Sequence, residues 1–450
     1  MIFQFFWHKV CLLRENMTLY FILHTTWSIL GVMYILRCTF PPAISWAWCL
    51  AMIICPYVTT LVFWLTLCPA PQADKILYIR HYNRLQRVVA TLTGANMSAR
   101  NKVTALHNAN ATFSSIIRDL QHAREEIIIE YYIIDNDYIG STIISLLGRR
   151  ARAGVRVKIT YDAVGSWRLD KKVLAQMQHD GIKLQRYGAL RFPFLTPLSH
   201  RRNHRKIILI DRQILYMGGI NIASRYMGSS KLGFWRDDHI RIEGEAASKV
   251  VGYMYHANNV ELRRKLTQSL CQIQFISTSD ATSSSALKYI FMEVVGAARH
   301  AIRISTPYFL PPSSLLDCLC MAAQSGIVVE LIVPAKTDVV LVNWASMVAL
   351  RRCVECGVKV YRYAEGFLHS KVIVVDDDVV VVGSANMDYR SMCYNHEAVA
   401  IAYNKPLANH YIEQFSRDVA NSRLVDRAEL QTSTLSRIKE GVAQLIAPLL

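Results

Sequence analysis

The sequence predicts an α/β protein made of two copies of one α/β sandwich half, preceded by an N-terminal two-helix transmembrane hairpin. Three observations predict it. Apolar strand-like segments alternate with helical ones through most of the chain, one motif-bearing element occurs twice, and two long uncharged apolar runs open the sequence. Alternating strands and helices point to buried strands covered by helices.

The hairpin comes first. No charged residue lies between Asn16 and Leu36, and none between Cys38 and Ala73. Each run holds about 20 apolar residues, enough to span a bilayer. The predicted helices lie near 17–37 and 44–68, joined through Arg37, Pro41 and Pro42, with Pro56 as a kink in the second. Trp27, Trp46, Trp48 and Trp64 are candidate interfacial anchors. Lys9 and Arg14 precede the hairpin and Lys75, Arg80, Arg84 and Arg87 follow it, which places both ends in the cytoplasm. A cleaved signal peptide does not fit, because no small-residue cleavage site follows the first run and a second span does.

Residues 1–74 therefore form the hairpin and 75–122 an amphipathic, helical, membrane-proximal connector. Residues 123–275 form the first half and 276–450 the second. In the first half EEIIIEYYIID reads as a strand, STIISLLGRRARAG as a helix and VRVKITYD as a strand. HAIRISTPYFL, SSLLDCLCMAAQSG and IVVELIVP repeat that order in the second. Gly154 and Gly326 close the two helices as C-terminal caps. GIKLQRYG and GVKVYRYAEG then read as strands, and STSDATSSSA at 277–286 separates the halves.

The net charge of +17 in 450 residues calls for an anionic partner, which composition alone leaves open between nucleic acid, acidic lipid and a phosphorylated substrate. The 11 cysteines read as free thiols. The pair Cys353 and Cys356 lacks a second Cys or His pair, so no metal site is expected.

The chemistry sits in the repeated element. NHRKIILIDRQILYMGGIN carries His204, Lys206, Asp211 and Asn221; LHSKVIVVDDDVVVVGSAN carries His369, Lys371, Asp376 and Asn386. Histidine and lysine two apart share one face of a strand. A cation beside an imidazole suits phosphoryl chemistry, with the imidazole attacking phosphorus or moving a proton and the lysine holding the oxyanion. Each aspartate is an odd number of positions away and faces elsewhere, which gives it a supporting place in the set. A lone histidine at a strand start is usually structural; two in matching contexts are not.

The two elements resemble the HKD motifs of the phospholipase D superfamily. Together with YYIIDNDYIG, YDAVGS, FWRDDHIRIEGEA, STPYFLPP, GSANMDYRS and the hairpin, they make the chain similar to a bacterial cardiolipin synthase of that type. The resemblance implies a phosphatidyl-histidine mechanism, with His204 as nucleophile and His369 as acid and base. It implies that Lys206, Lys371, Asn221 and Asn386 hold the phosphate oxygens, and that Asp237 and Glu397 orient the histidines. Transfer from one phosphatidylglycerol to another would release glycerol without any cofactor, at the inner (cytoplasmic) membrane. No GxxxxGK[ST] loop is present. Two departures stand out: YMYHANNV after Gly252, and GGIN in the first motif where GS is the commoner form.

Arg191, Arg201, Arg202 and Arg205 lie in the mixed apolar and basic loop entering the first motif, read as a headgroup contact or else as a solvated loop. Hydrolysis by the same residues, a membrane-bound nuclease and an inactive scaffold are the competing readings. Intact motifs oppose the last. The hairpin and the absence of aromatic residues among the basic stretches oppose the nuclease and any nucleic-acid partner.

Overall fold

The structure, a computed structural model, describes residues 2–37, 42–66, 83–189, 201–255, 271–279, 285–430 and 433–446. Cys38, Pro41, Cys68, Lys75, Arg80, Arg191, the centre of the 277–286 linker and the side chains of Lys9, Arg14, Trp64 and YMYHANNV lie outside the description.

The N-terminal unit contains α1 (Ile2–Arg37), α2 (Pro42–Ile54) and α3 (Pro56–Thr66). The first helix starts well before residue 17. The second helix expected near 44–68, with Pro56 as a kink, is divided at Cys55 into α2 and α3. The Cys55 N–H still donates to the Ala51 carbonyl and the Thr59 N–H to the Cys55 carbonyl, each at 2.9 Å, so Pro56, which has no N–H, removes one rung of the ladder. Among the described residues one stretch, Thr18–Arg37, is long and apolar enough to cross a membrane. The helices meet through Ile35, Cys49, Met52 and Phe63, and Trp27 donates to the Thr60 hydroxyl at 2.9 Å.

The remainder begins with α4 (Arg84–Thr93), β1 (Asn101–Asn108), α5 (Ala109–Gln121), β2 (Glu126–Tyr131), α6 (Tyr138–Arg152), β3 (Arg156–Asp162) and α7 (Lys171–His179). It continues through β4 (Lys183–Tyr187), β5 (Lys206–Ile210), β6 (Ile214–Gly218), β7 (Trp235–Gly244) and α8 (Glu245–Tyr255). The second half holds β8 (Gln272–Ser277), α9 (Ala286–Gly296), β9 (Ala301–Ser305), β10 (Phe309–Leu310), α10 (Ser313–Gln324), β11 (Val328–Pro334), α11 (Val340–Glu355) and β12 (Lys359–Tyr363). After these come β13 (Phe367–Leu368), β14 (Val372–Val375), β15 (Val379–Gly383), β16 (Met387–Asp388), α12 (Tyr389–Cys393), β17 (Ala398–Tyr403), α13 (Lys405–Ala420), β18 (Ser422–Leu424) and α14 (Thr434–Ile446).

The first sheet runs β1-β7-β6-β5-β2-β3-β4 and the second β18-β12-β11-β9-β14-β15-β17-β8. In each, three parallel strands (β2, β3, β4; β9, β11, β12) continue into antiparallel ones. The duplication is thus one of topology as well as of motif.

Side-chain alternation builds the layers. Ile207 and Leu209 of β5 and Val372 and Val374 of β14 meet in one core shared by the two sheets. Their neighbours Ile208 and Ile210 pack with α5, α6 and α7, while Ile373 and Val375 pack with α9, α10 and α11. Each sheet thus carries an outer layer of helices, while α8, through Ala246, Ala247 and Val250, and α13, through Leu407, Ala408 and Tyr411, pack into the core between the sheets. Gly154 and Gly326 do adopt the left-handed conformation that ends α6 and α10, with φ of 92° and 89°.

From residue 83 to 122 the expected helical connector is a helix, a strand and a second helix. β1 pairs antiparallel with β7 and completes the first sheet, while Leu85 and Val89 of α4 pack in the core of the second half. The alternating pattern of NKVTALHN carries the strand, and its period of two is hidden between two helices. Nor does the chain change halves at 275/276, since β8 starts at Gln272 and pairs with β17.

Asp211 and Asp376 belong to the fold rather than to the chemistry. Each sits at the far end of its strand from the histidine, roughly 20 Å away at strand rise, with a left-handed φ of 50° or 51°. The Asp211 carboxylate accepts the backbone N–H groups of Arg124, Glu125 and Glu126 at 2.8–3.0 Å. Asp376 accepts those of Arg299, His300 and Ala301 at 2.8–3.3 Å. Each thereby clamps the turn that leads into the first parallel strand of its half. Asp211→Ala or Asp376→Ala should cost about 2 kcal/mol of stability, the scale of hydrogen bonds to a charged group. Melting of the detergent-solubilised protein checks this; an unchanged midpoint would refute the clamp.

Candidate active site

His204 precedes β5 and His369 precedes β14, and both line one cavity of about 520 Å³. The halves do not each build a site. The His204 N–H donates to the His396 carbonyl at 2.9 Å, and the His369 N–H donates to the Arg236 carbonyl at 2.7 Å. Both contacts cross between halves. The parallel pairing of β13 with the start of β7 holds the second crossing in register.

The side chains cross in the same way. Nδ1 of His204 lies 3.0 Å from each carboxylate oxygen of Glu397, in the second half. Nδ1 of His369 lies 2.6 Å from Oδ2 of Asp237, in the first. With Nδ1–H given to a carboxylate, the neutral imidazole keeps a lone pair on Nε2, where attack or proton transfer can occur. Lys206 donates to the carbonyl of His204 at 2.6 Å, and Lys371 donates to that of His369. Asn221 and Asn386 also line the cavity. The Asn221 amide donates to Tyr226 Oη at 2.5 Å and its oxygen accepts from the Ile133 N–H at 3.2 Å.

Burial dominates the electrostatics. It pulls His204 below the ordinary histidine range, with Lys206 and Lys371 adding to the effect and Glu397 opposing it. Burial, Lys371, Lys206 and His204 push His369 down further. Lys206 falls to about 7, chiefly by burial. The two carboxylates diverge. Burial raises Asp237 to about 6 against the pull of Lys371. Burial also acts to raise Glu397, but His204, Lys206 and the Ser384 hydroxyl overcome it and hold Glu397 at about 2.

One residue explains part of the divergence. Ser384 donates to Glu397 Oε2. At the matching place in the first motif stands Gly219, and a Cβ there would lie 2.2 Å from Oδ1 of Asp237. The GGIN departure therefore has a steric cause: Asp237 occupies the space a serine would need.

Several neighbours lie outside the two repeated elements. Tyr132 packs edge-on to His204 with centroids 5.0 Å apart, and Lys206 Nζ lies 5.4 Å from that ring. Trp235, Tyr226 and Phe367 surround His369 at 5.1–5.8 Å. Behind Asp237, Asp238 receives Arg236 at 2.7 Å, the Ser370 hydroxyl, and His107 at 2.6 Å. Adjacent charges in FWRDD were the only sequence cue to this buried network.

Two arginines of the basic loop, Arg202 and Arg205, are not surface charges. Arg202 is buried and donates to the Gly188 carbonyl at 2.9 Å, and Arg205 is buried against Glu130 at 3.2 Å. Both guanidinium groups satisfy buried acceptors, a demand that a run of basic residues does not reveal.

Gly219→Ala should lower turnover at least about tenfold, because displacing Asp237 misplaces His369, and small misplacements of this kind cost that much. Comparing kcat with the melting midpoint tests it; full activity in a folded variant would show that Asp237 has room to move.

The family described as cardiolipin synthase, PLD-like domain matches residues 116–232 and 291–419. The chain is 34% identical over 397 residues to a cardiolipin synthase of Geobacillus kaustophilus, covering 85% of this chain and 79% of that protein. It is 34% identical over 370 residues to one of Staphylococcus aureus, covering 79% and 75%. The crystal structure of a phosphatidylserine synthase from Haemophilus influenzae superposes with a TM-score of 0.63 at 15% identity, over 82% of this chain and 100% of that one, which establishes the shared fold. A duplicated sandwich whose paired histidines meet at the junction of its halves, with relatives of this extent, places the chain in the cardiolipin synthase family of phospholipase D-like phosphatidyltransferases.

Proposed function

We propose that the protein makes cardiolipin by moving a phosphatidyl group from one phosphatidylglycerol to the hydroxyl of another. The observation that carries this reading is the pair of histidines in one cavity, each bound through Nδ1 to a carboxylate of the opposite half. Such a pair suits a double displacement at phosphorus, and the cardiolipin synthase relatives supply the substrate class.

In the first step Nε2 of His204 bonds to phosphorus and the bond to the glycerol oxygen breaks, with His369 giving that oxygen its proton. In the second, His369 takes a proton from the hydroxyl of the incoming lipid, the new P–O bond forms, and the P–N bond to His204 breaks. Glu397 and Asp237 stabilise the positive charge each ring acquires. Lys206, Lys371, Asn221 and Asn386 hold the non-bridging oxygens. Burial favours the neutral form of both rings, as an attacking nitrogen requires, and a bound phosphodiester anion draws a proton from solvent onto His369. The apolar helix Thr18–Arg37 supports an inner (cytoplasmic) membrane location, and the flanking cations support a cytoplasmic catalytic body.

The intact protein with labelled phosphatidylglycerol vesicles and no nucleotide should yield cardiolipin and free glycerol. Both His204→Ala and His369→Ala should lose activity by roughly a thousandfold, as for residues acting as a unit. Phosphatidic acid as the sole product would instead make the protein a hydrolase. A phosphatidyl donor with a good leaving group should still label His369→Ala covalently but leave His204→Ala unlabelled; the opposite pattern reverses the two roles.

The pH dependence follows from Asp237. As pH falls through about 6, its carboxylate takes up a proton and stops stabilising a charged His369. Turnover should therefore decline on the acid side of about 6. Asp237→Asn should be slow and lack that limb; a kcat profile with the limb unchanged in the variant would assign the titration to another group.

A further inference from the structure

We infer that the rim of the catalytic cavity is itself a membrane-docking surface, formed by two apolar lips and one face of α14 and seated on the interface of an anionic bilayer. The inference rests on the phosphatidyl-transfer reading for its purpose but not for its observations.

The lips are equivalent elements of the two halves. In the first, the turn between β3 and α7 exposes Val164 and Trp167, the latter 73% exposed. In the second, the segment between β11 and α11 and the start of α11 expose Val339, Val340, Leu341 and Trp344. Val164 and Val339 also line the cavity, so each lip runs unbroken from the cavity wall to solvent.

α14 extends the second lip. Its inner face is fixed: Ala443 is buried with Val342, Ala345 and Leu310, and Glu440 binds Arg351 at 2.8 Å. Its outer face carries Leu435, Ile438 and Val442, which are 63%, 58% and 58% exposed. These positions, i, i+3 and i+7, form a single stripe. Lys439 borders the stripe, and its Nζ stands 5.9 Å from the Trp344 ring. The first lip has the same arrangement, with Arg168 5.3 Å from the Trp167 ring.

A folded protein gains nothing by exposing this much apolar surface around one opening unless something covers it. A tryptophan under a cation is suited to the headgroup level, with its ring among the upper acyl carbons and its cation on lipid phosphate. Charge selects an anionic occupant, since Arg168 and Lys439 beside the two tryptophans and the net charge of +17 favour acidic lipid. Continuity with the cavity gives the contact its use: a lipid phosphodiester can rise from the bilayer between the lips to the two histidines while its chains remain in an apolar setting.

Full-length protein would be reconstituted in vesicles of phosphatidylglycerol and phosphatidylcholine. An environment-sensitive fluorescent amino acid would replace Ile438, Trp167 or, as a control off the stripe, Arg437. Phosphatidylglycerol with brominated chains should quench the probe at 438 and 167 and spare it at 437. Absence of quenching at 438 and 167 overturns the inference. If the probe at 438 is shielded but unquenched, and sedimentation shows a dimer that Ile438→Glu dissociates, a second copy covers the stripe and the inference likewise fails. As a second arm, Leu435→Glu with Ile438→Glu should reduce turnover of vesicle phosphatidylglycerol about tenfold, the scale of losing a shallow apolar anchor. Turnover of monomeric short-chain phosphatidylglycerol should be unchanged. Equal turnover of both substrates by variant and parent would also overturn it. A parent that turns over neither substrate defeats the catalytic reading alone, since quenching is measured without chemistry.

Discussion

Everything in the catalytic body converges on one exchange: the histidine of each half is held by a carboxylate of the other. Two imidazoles, two lysines and two carboxylates are taken out of water together, a costly arrangement unless every charge finds a partner. Neither half can satisfy its own set. His204 needs Glu397, and His369 needs Asp237. The core between β5 and β14, the pairing of β13 with β7 and the crossed backbone bonds all keep the halves in the one register where both exchanges are made.

The duplication is symmetric in topology and asymmetric in electrostatics. Ser384 and His204 keep Glu397 ionised deep inside the protein, whereas Gly219 leaves Asp237 with fewer donors and a proton affinity near neutrality. Among the described residues Tyr132 is the ring packed on His204, while a larger aromatic wall encloses His369. Two chemically identical side chains thus acquire different proton affinities from environments that differ by a few residues.

The resemblance between motifs conceals a division of labour. Within each motif the histidine lines the cavity and the buried lysine donates to that histidine's own carbonyl, whereas the aspartate at the other end of the strand clamps the turn into the first parallel strand. Basic residues divide likewise. Arg202, Arg205 and Arg236 are buried and paired, while Arg168 and Lys439 stand over tryptophans at the rim. Positive charge in this protein is therefore partly a structural material and partly a surface property, and only burial tells the two apart.

Much was legible from the residues alone. The fold class, the duplication, the caps at Gly154 and Gly326 and the His-x-Lys pairs are local patterns, fixed by the periods of strand and helix and by the chemistry of single residues. β1 was missed because eight alternating residues between two helices are a weak periodic signal, decided by the open edge of β7 rather than by propensity. The interruption at Cys55 follows from Pro56, which leaves one rung of the ladder unmade. Which carboxylate meets which histidine depends on contacts between residues more than a hundred positions apart, and why Gly219 must be small and which arginines are buried depend on contacts that form only in the folded chain. Sequence determined the inventory of reactive groups and the strands that carry them; the packing of one sheet on the other decided their partners, because burial and proximity, which set charge and proton affinity, exist only once the halves have met.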